Sequence, residues 1–84
     1  MRGEIMNYDS PFMGKSIAVT GKLNSYTRSE IKARLLELGA RPVSKISKRT
    51  DYLILGERPG SKLVKALALK ITILSEREFE EMSR

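Results

Sequence analysis

Three short blocks of consecutive apolar residues punctuate the chain. KSIAVTG (15–21) runs through Ile17, Ala18 and Val19 and stops at Gly21; YLILG (52–56) and ITIL (71–74) have the same character. Near-continuous apolar runs of this length, rich in β-branched residues, predict strands buried on both faces, as in a parallel sheet. Between and after them the period changes. Thr27, Arg28, Ser29 and Glu30 make a capping-box pattern, Ile31, Leu35 and Leu38 follow at i, i+4 and i+7, and Gly39 is a natural helix stop. LVKALAL (63–69) predicts a short helix. A second capping box, Ser75 to Glu78, opens a last helix whose inner side is Phe79 and Met82. ARPVSK (40–45) is a short strand at most, and Pro42 predicts an edge position, because proline gives no N–H to a ladder.

The resulting order is β-α-β-β-α-β-α. Strands alternating with helices predict an α/β fold, one small three-layer domain with a mostly parallel sheet and helices on both faces. Residues 1–12 show no period and include Gly3, Asn7, Asp9, Ser10 and Pro11. They are expected to form a flexible N-terminal arm, with the domain over 13–84.

Composition narrows the chemistry. An apolar content of 40% in 84 residues suits a packed single domain. The chain has no cysteine and no histidine, so it holds no disulfide framework, no Cys/His zinc site and no Cys- or His-centred catalyst. No run approaches the roughly 18 apolar residues of a membrane span, and MRGEIMNYDS lacks the apolar core of a signal peptide. These features point to an intracellular protein with no membrane partner. The net charge of +6 is unevenly spread: residues 15–75 carry 13 Lys/Arg against 4 Asp/Glu, whereas EREFEE (76–81) carries four Glu and one Arg. A basic body of this kind suits a polyanionic partner.

The stretch GERPGSKLVKA (56–66) has the vocabulary of a phosphate loop. It does not fit a Walker A motif: three residues separate the glycines instead of four, and Ser61 precedes Lys62 instead of following it. Pro59 also removes an N–H that such a cradle would use. What survives is a simpler arrangement, a helix start whose free N–H groups and positive dipole end favour an anion, with Lys62 beside it. Read alone, Thr20 is equally a strand-end residue, Gly21 a turn, and Arg28 and Lys62 solvated surface residues.

The ordered set GKSIAVTG (14–21), Arg28, LGA (38–40), SKRTDYLILG (47–56), PGSKLVKA (59–66) and ILSEREF (73–79) resembles a BRCT domain. The resemblance is to the kind found in bacterial NAD-dependent DNA ligases and in the large subunit of replication factor C, and it covers roughly residues 10–82. It implies a four-stranded parallel sheet in the order 2-1-3-4, with two helices on one face and one on the other. Many BRCT domains carry Trp in the last helix; Phe79 stands there, as is common in the ligase-like subgroup. The chain has neither a K-x-D-G adenylation motif nor a Cys-rich zinc segment, so it is either an excised domain or a stand-alone protein.

In a 2-1-3-4 sheet the ends of the first and third strands lie at the switch point, where open α/β sheets place ligands. The resemblance implies a phosphate site there made by Thr20, Gly21 and Lys62, joined by Arg28 as in the replication-factor-C type, around the 5′ phosphate of duplex DNA. Lys22, Arg34, Ser61 and Lys65 are further candidates for the DNA backbone, in contacts blind to sequence and sensitive to salt. The expected function is a non-catalytic module that recognises a 5′-phosphorylated DNA end or nick in repair or replication. The alternative is a phosphopeptide-dependent interaction module with a phosphoprotein or another repair or replication protein as partner. A structural or dimerisation role is a third reading. No cofactor or metal is expected. The resemblance places such a protein in the bacterial cytoplasm with the nucleoid, or in a eukaryotic nucleus.

Overall fold

The computed structural model describes residues 10–83. Their elements are β1 (Ser16–Thr20), α1 (Arg28–Glu37), β2 (Arg41–Pro42), β3 (Tyr52–Leu55), α2 (Ser61–Ala68), β4 (Thr72–Ser75) and α3 (Glu76–Met82). The four strands form one sheet in the order β2-β1-β3-β4, and every pairing is parallel. Ile17 sits opposite Pro42 on one side and Tyr52 on the other, and Leu55 sits opposite Thr20 and Ser75.

Alternation along the strands divides the apolar residues between two faces. Ile17, Ile54 and Leu74 join Ile31, Leu35 and Leu38 of α1 and Phe79 of α3 in one cluster. Ala18 and Leu53 join Ala66 of α2, together with Ile46 and Ile71, in the other. Two helices therefore cover one face and one helix the other, as the resemblance to a BRCT domain implies.

The first cluster is the aromatic one. Phe12 is fully buried, its ring centroid 5.4 Å from Tyr52 and 5.3 Å from Phe79. Phe12 belongs to the core and not to an arm: its N–H donates to Ser10 Oγ at 3.1 Å, and the next turn ties to the end of α1 through Gly14 N–H and Gly39 C=O at 2.8 Å. The remainder of the expected arm, residues 1–9, lies outside the described residues.

Both capping boxes form. Thr27 Oγ1 accepts from Glu30 N–H while Glu30 Oε1 accepts from Thr27 N–H, and Ser75 and Glu78 repeat the arrangement. Gly39 ends α1 at φ +78°. Two boundaries differ from expectation. α2 begins two residues earlier, at Ser61, and its end is turned by Lys70 in the left-handed region at φ 58°. β2 is cut to two residues: the last rung along this edge is Val43 N–H to Ile17 C=O at 2.9 Å.

Candidate phosphate-binding cleft

The early end of β2 shapes the site. β1 continues to Thr20 with β3 on one side, but beyond Val43 its other edge has no strand partner among the described residues. An orphan strand carbonyl needs another donor. Val19 C=O finds one in Lys62, whose Nζ donates to it at 3.2 Å. Lys62 thereby reaches from the start of α2 to the open edge of β1, and its ammonium keeps two further donors.

Thr20 and Gly21 set the path of the chain at this point. Thr20 is buried, and its Oγ1 accepts from Gly60 N–H at 3.3 Å, which docks the entry of α2 onto the end of β1. Gly21 has φ +80°, and a Cβ there would collide with the carbonyl oxygen of Glu57. The close approach is real pairing: Lys22 N–H donates to Glu57 C=O and Glu57 N–H to Lys22 C=O, both at 2.9 Å. Only glycine satisfies both the left-handed turn and the contact.

From this point the chain crosses to α1 through a loop anchored by the first residue of α3. Glu76 accepts from Asn24 N–H at 2.7 Å and Ser25 N–H at 2.6 Å, one carboxylate oxygen to each. The anchor fixes the approach to Thr27 and hence where Arg28 projects. Arg28 lies on the exposed first turn of α1, with Lys32 one turn further along.

A cleft of about 380 Å³ results, walled by Val19 and Gly21 of the first strand and its turn, by Pro42 of β2 and Val43 just after it, and by Arg28, Lys32 and Lys62. Three cations line it and no carboxylate does. None of the three has an ion-pair partner among the described residues, where the pairs formed are Arg34 with Glu37 and Arg77 with Glu81. Unpaired cations round a concave surface raise the local potential and attract an anion.

The structure thus brings Gly21, Arg28 and Lys62 to one cleft; Thr20 does not line it, being buried and docking the α2 entry through Gly60. Ser61 opens α2 and Lys65 follows Lys62 by one turn, both exposed, so they extend the same side. Lys22 is exposed in the turn beyond Gly21 and lines a neighbouring cleft. Arg34 is not brought here. Its guanidinium donates to Glu37 at 3.2 Å and to the Ser83 carbonyl at 2.9 Å, tying α1 to the end of α3. Lys32 is the residue that sequence reasoning missed; its i, i+4 spacing from Arg28 was the available signal. Among the described residues there is no group of three or more Asp or Glu that could hold a metal, and no helix long and apolar enough to cross a membrane.

The comparisons agree with this architecture. Residues 7–82 match the family model described as BRCA1 C Terminus (BRCT) domain. The chain belongs to the BRCT family. It is 54% identical over 71 residues to a DNA ligase of Clostridium botulinum (strain Kyoto / Type A2) and 55% identical over 74 residues to a DNA ligase of Clostridium perfringens (strain SM101 / Type A). Those matches cover 84% and 88% of this chain but 11% of each ligase, so the chain spans about a ninth of the length of these relatives. Among solved structures, the BRCT3,4 region of S. pombe Rad4 superposes with a TM-score of 0.64 at 21% identity, over 76% of this chain and 37% of that one. At that identity the likeness concerns the fold.

Proposed function

We propose that this BRCT domain is a non-catalytic module that binds DNA at a 5′-phosphorylated end or nick, with the terminal phosphate in the cleft between Gly21, Arg28, Lys32 and Lys62. The observation that carries the reading is the set of three cations, with no carboxylate partner among the described residues, facing one cleft at the open edge of β1. The forked guanidinium of Arg28 suits two oxygens of a phosphate, and Lys62 adds a point charge already steered inward by Val19 C=O. Thr20 anchors the α2 entry through Gly60 and keeps its hydroxyl proton for a further acceptor. Ser61, Lys65 and Lys22 would then meet the duplex backbone beside the end. The DNA ligases that contain such a segment act where DNA strands must be joined, which gives a phosphate-end reader a natural place.

The test is a titration of two duplexes that differ only in a 5′ phosphate or a 5′ hydroxyl, at two salt concentrations. The expected result is tighter binding of the phosphorylated duplex, steeply weakened by salt and lost in Lys62→Ala. Equal weak binding of both would leave only sequence-blind backbone affinity. Binding of a phosphoserine peptide in place of DNA would turn the cleft over to the protein-interaction reading.

A further inference from the structure

We infer that a second cleft, joined to the first through Gly21 and Arg28, receives the nucleoside attached to the bound phosphate, so that the domain recognises a 5′-terminal nucleotide and not a bare phosphate. The inference rests on the phosphate reading proposed above and adds a ligand class to it. The second cleft is larger, about 1000 Å³, at the upper end of the roughly 300–1,000 Å³ typical of small-molecule sites. Gly21 and Arg28 line both clefts. A phosphate held by Arg28 would therefore border the second space across this shared wall.

The linings of the two clefts differ in kind. The charged residues of the first are all cations, among apolar walls; the second sets Lys22 and Arg58 beside Glu30 and Glu57. Mixed charge disfavours a further phosphate and suits a polar, uncharged group. Glu30 is committed to its capping box, which leaves the exposed Glu57 carboxylate to accept hydrogen bonds from a sugar hydroxyl or a base amine. Arg58 offers a planar guanidinium on which a base can stack. It sits at φ 53°, in the left-handed region where glycine is the favoured residue. The opposite wall is fixed in advance. Asn24 and Ser25 are held by Glu76, and the Tyr26 ring rests against Phe79 at 6.2 Å.

The experiment uses three duplexes: one with an intact 5′-phosphorylated terminal nucleotide, one with an abasic 5′-phosphorylated terminus, and one with a 5′ hydroxyl. The intact terminus is expected to bind about tenfold tighter than the abasic one, the effect of one stacked base. Arg58→Gly, which keeps the left-handed turn, should bring the intact duplex down to the abasic level and leave the abasic duplex unchanged. Equal binding of intact and abasic termini, both above the hydroxyl control, overturns the nucleoside cleft and leaves the phosphate reading standing. Loss of the phosphate preference itself overturns both. Free deoxynucleoside 5′-monophosphate, added as competitor, separates a strand end from a free nucleotide. Displacement only far above the duplex Kd supports the strand end, and displacement at the duplex Kd overturns it.

Discussion

The three helices of this domain start in two different ways. α1 and α3 begin on capping boxes, in which Thr27 and Glu30, or Ser75 and Glu78, satisfy each other's backbone N–H groups. α2 begins on Gly60, which makes no side-chain cap, and a Cβ placed there would meet nothing within 4 Å. The first two starts sit on the face with the aromatic core and are closed by their own side chains. The third sits at the switch point, next to Lys62 and the open edge of β1. Gly60 N–H is taken by Thr20 and Leu63 N–H by Gly60 C=O, but with no side-chain cap the N–H groups of Ser61 and Lys62 and the positive dipole end face outward from the chain. The contrast separates the helix starts that close on their own side chains from the one proposed to face a ligand.

The strongest way to break the contrast is to break the strand end that the open helix start faces. Gly21→Ala forces a Cβ toward Glu57 C=O in a left-handed backbone, and is expected to destabilise the domain by on the order of 3 kcal/mol. Chemical denaturation measures the loss; full stability in this variant would mean that the Lys22–Glu57 pairing is dispensable. Next in size is Lys62→Ala. It should lower affinity for a 5′-phosphorylated duplex by roughly 10- to 100-fold, the worth of a charged hydrogen bond, while the midpoint of unfolding barely moves. A fall in stability with unchanged affinity would make Lys62 a structural strut for Val19 C=O, and the two kinds of helix start would no longer differ in function.

Much of this division is legible in the sequence. The strands show because apolar runs end at Gly21 and Gly56, and α1 and α3 show because capping boxes are local: four consecutive positions suffice to write one. The harder features depend on partners distant in the chain. Phe12 lies among turn residues without a period, and only the meeting of Tyr52 and Phe79 gives it a core to fill. The chain leaves α2 through Lys70, a lysine in a conformation normally marked by glycine, so the end of the apolar run at Leu69, and not a glycine, marks the stop. The cleft itself is a consequence of where β2 ceases to pair. Pro42 reveals an edge strand, but nothing local reveals that Val19 C=O is left for Lys62. Arg34 and Lys32 are alike in composition and differ in the face of α1 that each occupies; one turns to α3 and the other to the cleft.

A closed start should behave in the opposite sense to Lys62. Ser75→Ala removes the acceptor for Glu78 N–H and is expected to cost about 1 kcal/mol of stability. The preference for a 5′-phosphorylated duplex should remain, because neither Ser75 nor Glu78 reaches the cleft. If the preference falls along with stability, the α3 start is coupled to the site through the neighbouring Glu76 anchor, and structural and ligand-facing helix starts are not separate.

The smallest expected effect is also the most discriminating, because it converts the open start into a closed one. Gly60 has φ −95°, which an ordinary residue adopts, and the space around its missing Cβ is empty. Gly60→Asp supplies an N-cap acceptor and places a negative charge at the positive end of α2. Both effects favour the helix, and a gain of a few tenths of a kcal/mol in stability is expected relative to glycine. The same carboxylate would stand beside Lys62 and compete with any anion for it. Affinity for the phosphorylated duplex should therefore fall while the protein becomes slightly more stable, and calorimetry and titration on one preparation check both. Opposite signs for folding and binding are what an uncapped start kept for a ligand requires. A variant that gains stability and still binds as before would show that the bare start of α2 is merely an unimproved helix end.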